Sequence, residues 1–501
     1  MELNPEHIDI MAIVATIQNT IRSLVLGAST SGSLKTHSIV QSFPSDLLFE
    51  IFMWGLPTAL TSRPRGAFTL VVSQVCRSWR ETALAHPSLW ASTSITSSPH
   101  DSDGSVSMVN YIRLWKLYFE RSGESFLDVE VDSNVKRCDE FRGIMDDVLA
   151  HQHRLWSLDI SCNTDQIPLD SDWAVLCAPR LKSIDFTVNP AGDVPDDAGG
   201  KIVVDLAGCP SLETIDVFGW CYFYREVGKL TSLRRAMLDV NEFSQADKNI
   251  NVQLISSLLQ AAPNLEELRT VLYEGAILPQ SPKLLLLAHL RDLDLSVGHG
   301  GVYVPDSLLR NLDLPMLDNL HLFIHVNGHP NGTWSELNGL KNLRRLSLSY
   351  VLNVGPSGPD EIPSLLRSMP SLKRLILFGE RVSNHTMQAL TLRGQGRDLC
   401  PLLEAICICS DVYDRRRNTH HIDAINLVNM VSSRWLSNSA EYNSSTALDS
   451  PAKGTLKRIA VCLPGMLDVR LSSPIKTFVE QGLKFKMVSG QQAQDLHSEY
   501  F

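Results

Sequence analysis

Cysteine is scarce in this chain, ten residues in 501, and no spacing among them forms a framework. Neither a disulfide scaffold nor a zinc module built from paired C-x-x-C motifs is encoded. The closest pair, Cys407 and Cys409, sits in Ala-Ile-Cys-Ile-Cys, which reads as a buried strand. A run of eighteen apolar residues is also missing, so no membrane span is expected. The opening residues, Met1-Glu-Leu-Asn-Pro-Glu6, are acidic where a secretory signal needs a basic start. Excess positive charge is absent too. Lys and Arg number 45 against 55 Asp and Glu, a net charge of −10, which argues against nucleic acid or an anionic membrane as the main partner. A cytoplasmic or nuclear protein with free thiols is the expectation.

Catalytic signatures are equally thin. No Gly-rich loop ends in Lys-Ser/Thr between a strand and a helix, and no Gly-x-Ser-x-Gly elbow occurs. His321, His325 and His329 are four residues apart, a spacing that would converge only on a helix. They lie in Leu-His-Leu-Phe-Ile-His, a strand pattern. No catalytic residue, metal or cofactor is predicted, which leaves recognition as the function class.

Hydrophobic residues make up 44% of the chain and charged residues 20%, enough for a sizeable core. Residues 8–26 read as a helix, with Ile10, Val14, Ile17, Ile21 and Leu24 on one seam. Ala28 to Ser38 reads as a flexible link. In residues 42–91, Ser45 after Pro44 is a natural N-cap, and Leu47, Leu48, Ile51 and Phe52 share one helix face. Gly55 and Pro57 end that helix. After a basic loop, a second helix carries Val72, Val75, Cys76, Trp79 and Ala83 on one stripe and stops before Pro87. About fifty residues with two short helices bury too little area alone, so an apolar face is left for a partner. Residues 92–104 are polar and read as a linker or long loop. Tyr111, Leu114, Trp115 and Tyr118 then mark a helix face, and Leu127, Val129 and Val131 alternate as in a half-buried strand.

From there the chain repeats itself. The template Leu-x-x-Leu-x-Leu, with aliphatic substitutes, starts at Leu155, Leu181, Leu212, Leu233, Leu265, Leu290, Leu317, Leu343, Leu372 and Leu403. The mean spacing of these leucines is about 28 residues, within the range of leucine-rich repeats. Six templates have proline two residues before the first leucine: Pro179, Pro210, Pro263, Pro315, Pro370 and Pro401. Proline there stops the preceding element before the strand begins. Asn163, Asn189 and Asn241 fall eight residues after their first leucines, the position of an asparagine ladder. One unit could not bury its apolar side, whereas ten stacked units share a continuous core. A further strand, Leu456-Lys-Arg-Ile-Ala-Val461, follows the polar insert 437–454. Residues 452–486 hold seven Lys/Arg against two Asp/Glu; this bias suits either a solvated capping face or an acidic partner.

Two resemblances emerge. Phe43-Pro-Ser-Asp-Leu-Leu-Phe-Glu-Ile-Phe52, Ser73-Gln-Val-Cys-Arg-Ser-Trp-Arg80 and Pro87-Ser-Leu-Trp90 resemble an F-box, in particular that of mushroom-type fungi. Phe43 replaces the usual Leu, and the loop from Pro57 to Phe68 is long for the family. The period, template and prolines resemble an irregular leucine-rich repeat solenoid. The predicted fold is thus α/β, an all-helical F-box at 42–91 followed by a solenoid at 126–436 with parallel strands on its concave face. Residues 1–41 are an N-terminal helix and linker, 92–125 a linker and helix, and 437–501 an insert and C-terminal cap.

The resemblance implies a substrate-recognition adaptor of a Skp–cullin–F-box ubiquitin ligase, without catalytic groups of its own. Phe43, Pro44, Leu47, Leu48, Ile51, Val75 and Trp79 would dock on the Skp adaptor, Trp79 serving also to hold the helices together. The solenoid would bind a protein substrate through exposed template positions, among them Trp156, Asp185, Asp216, Arg235, Asp294, His321, Arg345 and Arg374. The alternative is a scaffolding solenoid acting outside any ligase.

Overall fold

A computed structural model describes residues 43–56, 65–96, 105–132, 138–164, 167, 177–189, 202–219, 221–223, 228–240, 255–272, 285–297, 312–326, 340–352, 362–379, 382–393, 398–409, 422–435, 456–462 and 473–487. The predicted helix 8–26, the insert 437–454, Asn241 and His329 lie outside them. Two compact units divide the chain, Met1–Ile202 and Val203–Phe501.

The first unit begins with helices α1 (Ser45–Gly55), α2 (Arg65–Val75) and α3 (Arg77–Ala85) and a 3₁₀ turn, Pro87–Trp90. Strand β1 (Ser92–Thr96), helix α4 (Ser105–Arg121), β2 (Leu127–Asp132), α5 (Cys138–Ala150), β3 (Leu155–Asn163) and β4 (Ser183–Asn189) follow. Strands β1 to β4 pair in chain order, all parallel.

Among its described residues the second unit holds ten strands of the same kind: β5 (Thr214–Gly219), β6 (Arg235–Val240), β7 (Glu267–Leu272), β8 (Asp292–Val297), β9 (Asn319–Val326), β10 (Arg345–Leu352), β11 (Arg374–Gly379), β12 (Ala405–Cys409), β13 (Arg458–Cys462) and β14 (Lys484–Met487). They too pair parallel and in chain order. Helices α6 (Ile362–Arg367), α7 (Asn384–Leu390), α8 (Ala424–Arg434) and α9 (Ser473–Glu480) alternate with the later strands. Sequential parallel strands alternating with helices are the architecture of a leucine-rich-repeat-like solenoid.

Every predicted template falls on one of these strands, and its leucines are interior, as at Leu343, Leu346 and Leu348. The proline positions acquire a more specific role than stopping an element. The N–H of each first leucine donates to the carbonyl three residues back: Leu181 to Ala178, Leu212 to Cys209, Leu265 to Ala262, Leu317 to Leu314, Leu372 to Met369 and Leu403 to Cys400, at 3.1–3.2 Å. Proline therefore occupies the second position of a four-residue turn, where its fixed φ is favoured. The turn's first residue is buried each time, so the repeat signature has a fourth apolar position. Just before each strand from β5 to β12, one carbonyl accepts two N–H groups from the next repeat. Arg234 O receives Glu266 N at 2.7 Å and Glu267 N at 3.0 Å; Asp318 O receives Arg344 N at 3.0 Å and Arg345 N at 2.9 Å. Asn163 stands opposite Asn189 in the β3–β4 register.

Several sequence expectations need correction. Ser45 is not the N-cap. Pro44 precedes the helix without a side-chain cap, and its carbonyl already accepts Leu48 N at 3.0 Å. The second predicted helix is two helices, because Cys76 is extended (φ −156°, ψ 174°). That break turns Val75 outward while Val72 and Trp79 stay inside. Ser92–Thr96, read as linker, is strand β1, paired along its length with β2. Strands β13 and β14 continue the sheet beyond residue 436.

Among the described residues of the second unit, one charged side chain lies fully inside. Arg434, in the last turn of α8, donates to Leu390 O at 2.7 Å, Cys400 O at 2.8 Å and Leu399 O at 2.6 Å. Cys400 has a positive φ of 45°, strained for a residue with a Cβ, and its carbonyl is one of the three that Arg434 collects. Arg434→Ala leaves three carbonyls in the interior without this donor and is expected to cost about 3–5 kcal/mol. Urea denaturation followed by circular dichroism measures the loss; an unchanged midpoint would contradict the role.

Candidate functional site

The helical segment has an inside and an outside that sequence spacing alone only half separates. Leu48 and Phe52 of α1, Val72 of α2, Trp79 and Ala83 of α3, and Leu89 and Trp90 form one buried cluster with Tyr118 of α4. The Trp90 Nε1–H donates to Ala83 O at 2.7 Å, its ring meets Tyr118 edge-on at 4.9 Å, and Arg121 lies 4.4 Å over it. Thr69 Oγ1 donates to Leu89 O at 2.8 Å. Asp128 N donates to Ala91 O at 2.9 Å, so the helices run without a break into β1 and β2. An added Cβ at Gly55 would come within 2.2 Å of the tip of the Phe68 ring, so a larger residue there would require Phe68 of α2 to shift.

Of the seven residues expected to dock on an adaptor, Leu48 and Trp79 are interior. Phe43 and Ile51 pack against the cluster half-buried, and Pro44, Leu47 and Val75 are exposed. The structure adds residues the sequence reading left out. Trp54 is 59% exposed and follows Leu47 (46% exposed) by seven residues, with Ile51 between them; this spacing puts all three on one stripe. Met53 and Leu84 are exposed as well. The missed signal was that α1 is apolar on two adjacent stripes, of which only Leu48–Phe52 is needed inside.

The sheet face turned away from the leucines is the second surface. Trp156 and Asp185 belong to the first unit, the other six predicted positions to the second. Leu127 pairs with Leu155 but Asp128 pairs with Ser157, so Trp156 is the extra residue of a bulge, a device that re-aims a side chain. Its ring stacks on Phe126 at 5.4 Å; Arg180 lies 4.9 Å over Phe126, and Lys182 lies 5.6 Å over Trp156. Both rings remain over two-fifths exposed. Asp185 stands in register with Asp159 and, one strand on, Glu130.

In the second unit Arg235 sits 3.9 Å from Asp216 and 3.8 Å from Glu267, and Asp294 pairs with His321 at 3.1 Å. Burial raises the Asp216 carboxyl above its usual range, Glu267 adds to this, and Arg235 and Arg269 oppose it. Arg345 and Arg374 are register partners. The expectation that template positions stay exposed fails toward the end of the sheet. Ile376, Cys407, Cys409, Ala460 and Cys462 form a buried cluster, and β12 is buried on both faces. The sequence reading of Cys407 and Cys409 as a buried strand stands. Their sulfurs are 3.7 Å apart, and hydrogen bonding with the Cys407 and Cys462 thiols, reinforced by burial, pushes the Cys409 thiol up from its ordinary range.

Among the described residues no group of three or more His, Cys, Asp or Glu is placed to hold a metal ion. No helix among them is long and apolar enough to cross a membrane. No protein-family model matches the chain, and no curated protein matches it.

The inside–outside assignment is testable. Trp90→Ala is expected to cost about 3–5 kcal/mol and to abolish slow amide exchange in α1 to α3. Leu47→Ala should leave both within about 0.5 kcal/mol of wild type. Hydrogen-exchange mass spectrometry of the full chain separates the two, and equal protection in both variants would refute the assignment.

Proposed function

We propose that this chain is the substrate-recognition adaptor of a Skp–cullin–F-box ubiquitin ligase. The observation that carries the reading is the apolar stripe Leu47–Ile51–Trp54, presented outward by a helical cluster whose interior is already closed by Phe52, Trp79 and Trp90. A monomer gains nothing by exposing it; a docking site does. The stripe lies in the segment that resembles an F-box, so a Skp-type protein is the partner proposed for it. Phe43, Pro44, Leu47, Ile51, Trp54 and Val75 make the contacts. Leu48 and Trp79 act from the interior by holding the helices.

The continuity of helices and sheet supports the same reading. Ubiquitin transfer by proximity requires that a bound target keep a set position relative to the docking site. Within the first unit, α4 packs on Trp90, and β1 continues directly from Ala91. The sheet face that follows supplies recognition, and the chain contributes no catalytic group.

Co-purification of the full chain with a recombinant Skp adaptor tests the reading. Wild type is expected to bind. Pro44→Ala combined with Leu47→Ala should weaken binding about a hundredfold while leaving the circular dichroism spectrum unchanged. Undiminished binding, or none by the folded wild type, would remove the assignment.

A further inference from the structure

In every leucine template but one the second residue is charged. In the second unit these residues pair with one another, Arg234 with Glu266 at 3.4 Å, Arg344 with Asp318 at 3.5 Å and Glu404 with Lys373 at 3.8 Å. The exception is Trp156 of β3. Its carbonyl accepts Lys182 N at 2.8 Å, and its ring stacks on that of Phe126, just before β2, at 5.4 Å and 20° from parallel. Leu127, Leu155 and Leu158 already fill the interior of β2 and β3, so the core needs neither ring. The bulge turns Trp156 out of the strand pairing. An exposed aromatic pair fixed by the backbone is a low-entropy anchor for another protein.

The groups around the pair decide what it fits. Arg180 lies 4.9 Å over the Phe126 ring and Lys182 lies 5.6 Å over that of Trp156. The ring faces are thus turned to each other and to cations. What they leave a ligand is ring edge, the positive rim of the aromatic quadrupole. A partner's lysine or arginine meets two cations and that rim; a carboxylate, or the face of another aromatic ring, meets both favourably. The carboxylates of this sheet face stand farther along the strands, Glu130 in register with Asp159 and Asp159 with Asp185. An acidic ligand is therefore confined to the strand entries, crossing β2 to β4 instead of running along them. The crossing covers two strand spacings, about 10 Å, the length of about three extended residues.

We propose that the Phe126–Trp156 pair docks a short linear segment of a partner protein, an aromatic or aliphatic residue flanked by Asp or Glu. The apolar residue packs on the ring edges, and a flanking carboxylate pairs with Arg180, an exposed side chain. This deepens the proposed function, since it rests on the sheet face being the recognition surface. The site lies wholly in the first unit, which also carries the apolar stripe of α1.

The test is fluorescence anisotropy of a labelled peptide, Glu-Asp-Leu-Phe-Asp-Glu, titrated with the full chain. Wild type is expected to bind, more weakly as salt rises. A peptide with lysine in place of the acids, and one with serine in place of Leu-Phe, should each bind at least about tenfold more weakly. Trp156→Ala and Arg180→Glu should each lose at least about tenfold in affinity for the first peptide, whereas Trp156→Phe should keep most of it. Ile425→Ala removes an exposed apolar side chain of the second unit and should match wild type. Phe126→Ala is a further variant should Trp156→Ala fail to fold, and the same loss is expected. No binding by wild type, equal binding of the lysine peptide, or undiminished binding by folded Trp156→Ala or Arg180→Glu overturns the proposal. So does tighter binding of single-stranded oligothymidine that is lost in Trp156→Ala, which would give the rings to stacked bases. The peptide assay does not involve the Skp adaptor, so its failure and failure of adaptor docking are read separately.

Discussion

Everything in the repeat array depends on a shared acceptor. At the entry to each strand from β5 to β12, one backbone carbonyl takes the N–H groups of two successive residues of the next repeat. The series runs through Glu213, Arg234, Glu266, Arg291, Asp318, Arg344, Lys373 and Glu404. A carbonyl has two lone pairs, and filling both fixes where the next strand begins to the residue. A slip of one position would put the leucines on the wrong side of the sheet. With the slip forbidden, loops of very different length can connect strands without disturbing the core. That is how spacings from 21 to 32 residues coexist in one parallel sheet.

The same register makes the opposite face a surface with order in it. Side chains at one template position form a row, so charge is arranged along the array rather than scattered over it. Early rows of the second unit neutralise themselves through Arg235, Glu267 and Arg269. Toward its end the face becomes apolar through Ile376, Cys407 and Ala460. In the first unit, Trp156 leaves its row altogether, because the bulge gives it no strand partner. A surface patterned this way suits a protein ligand of defined sequence, and the helical cluster that precedes it offers a separate apolar stripe for a second protein.

Much of this was legible in the residues. The leucine template located every strand from β3 to β12, since a fixed core geometry repeats the same apolar positions. Strand β13 followed from the same pattern. β1 escaped because Ser92-Thr-Ser-Ile-Thr96 has the composition of a linker, and its strand state comes from pairing with β2. β14 escaped because Lys484-Phe-Lys-Met487 shows only two alternating apolar residues, too few to distinguish. In the helices, periodicity placed Leu48, Phe52, Trp79 and Ala83 on apolar stripes, yet it could not foresee the extended Cys76, a tertiary choice that reorients Val75. The residues proposed for docking were legible as a group but not as an inside and an outside. Leu47 and Leu48 are equally apolar, and only packing decides which is buried. Burial of Cys407 and Cys409 was legible in their all-apolar run, whereas the cluster they form with Ile376, Ala460 and Cys462 depends on packing between strands.

The central claim is that one chain joins adaptor docking to target presentation. Its most direct test is ubiquitin transfer in a reconstituted system of activating enzyme, conjugating enzyme, cullin–RING module and Skp adaptor, read as modification of the chain's own lysines. The account predicts that the full chain is ubiquitylated, and that Leu47→Ala with Trp54→Ala abolishes the transfer. Transfer that ignores these substitutions, or an adaptor-bound chain that supports none, would contradict it and leave the molecule a scaffold.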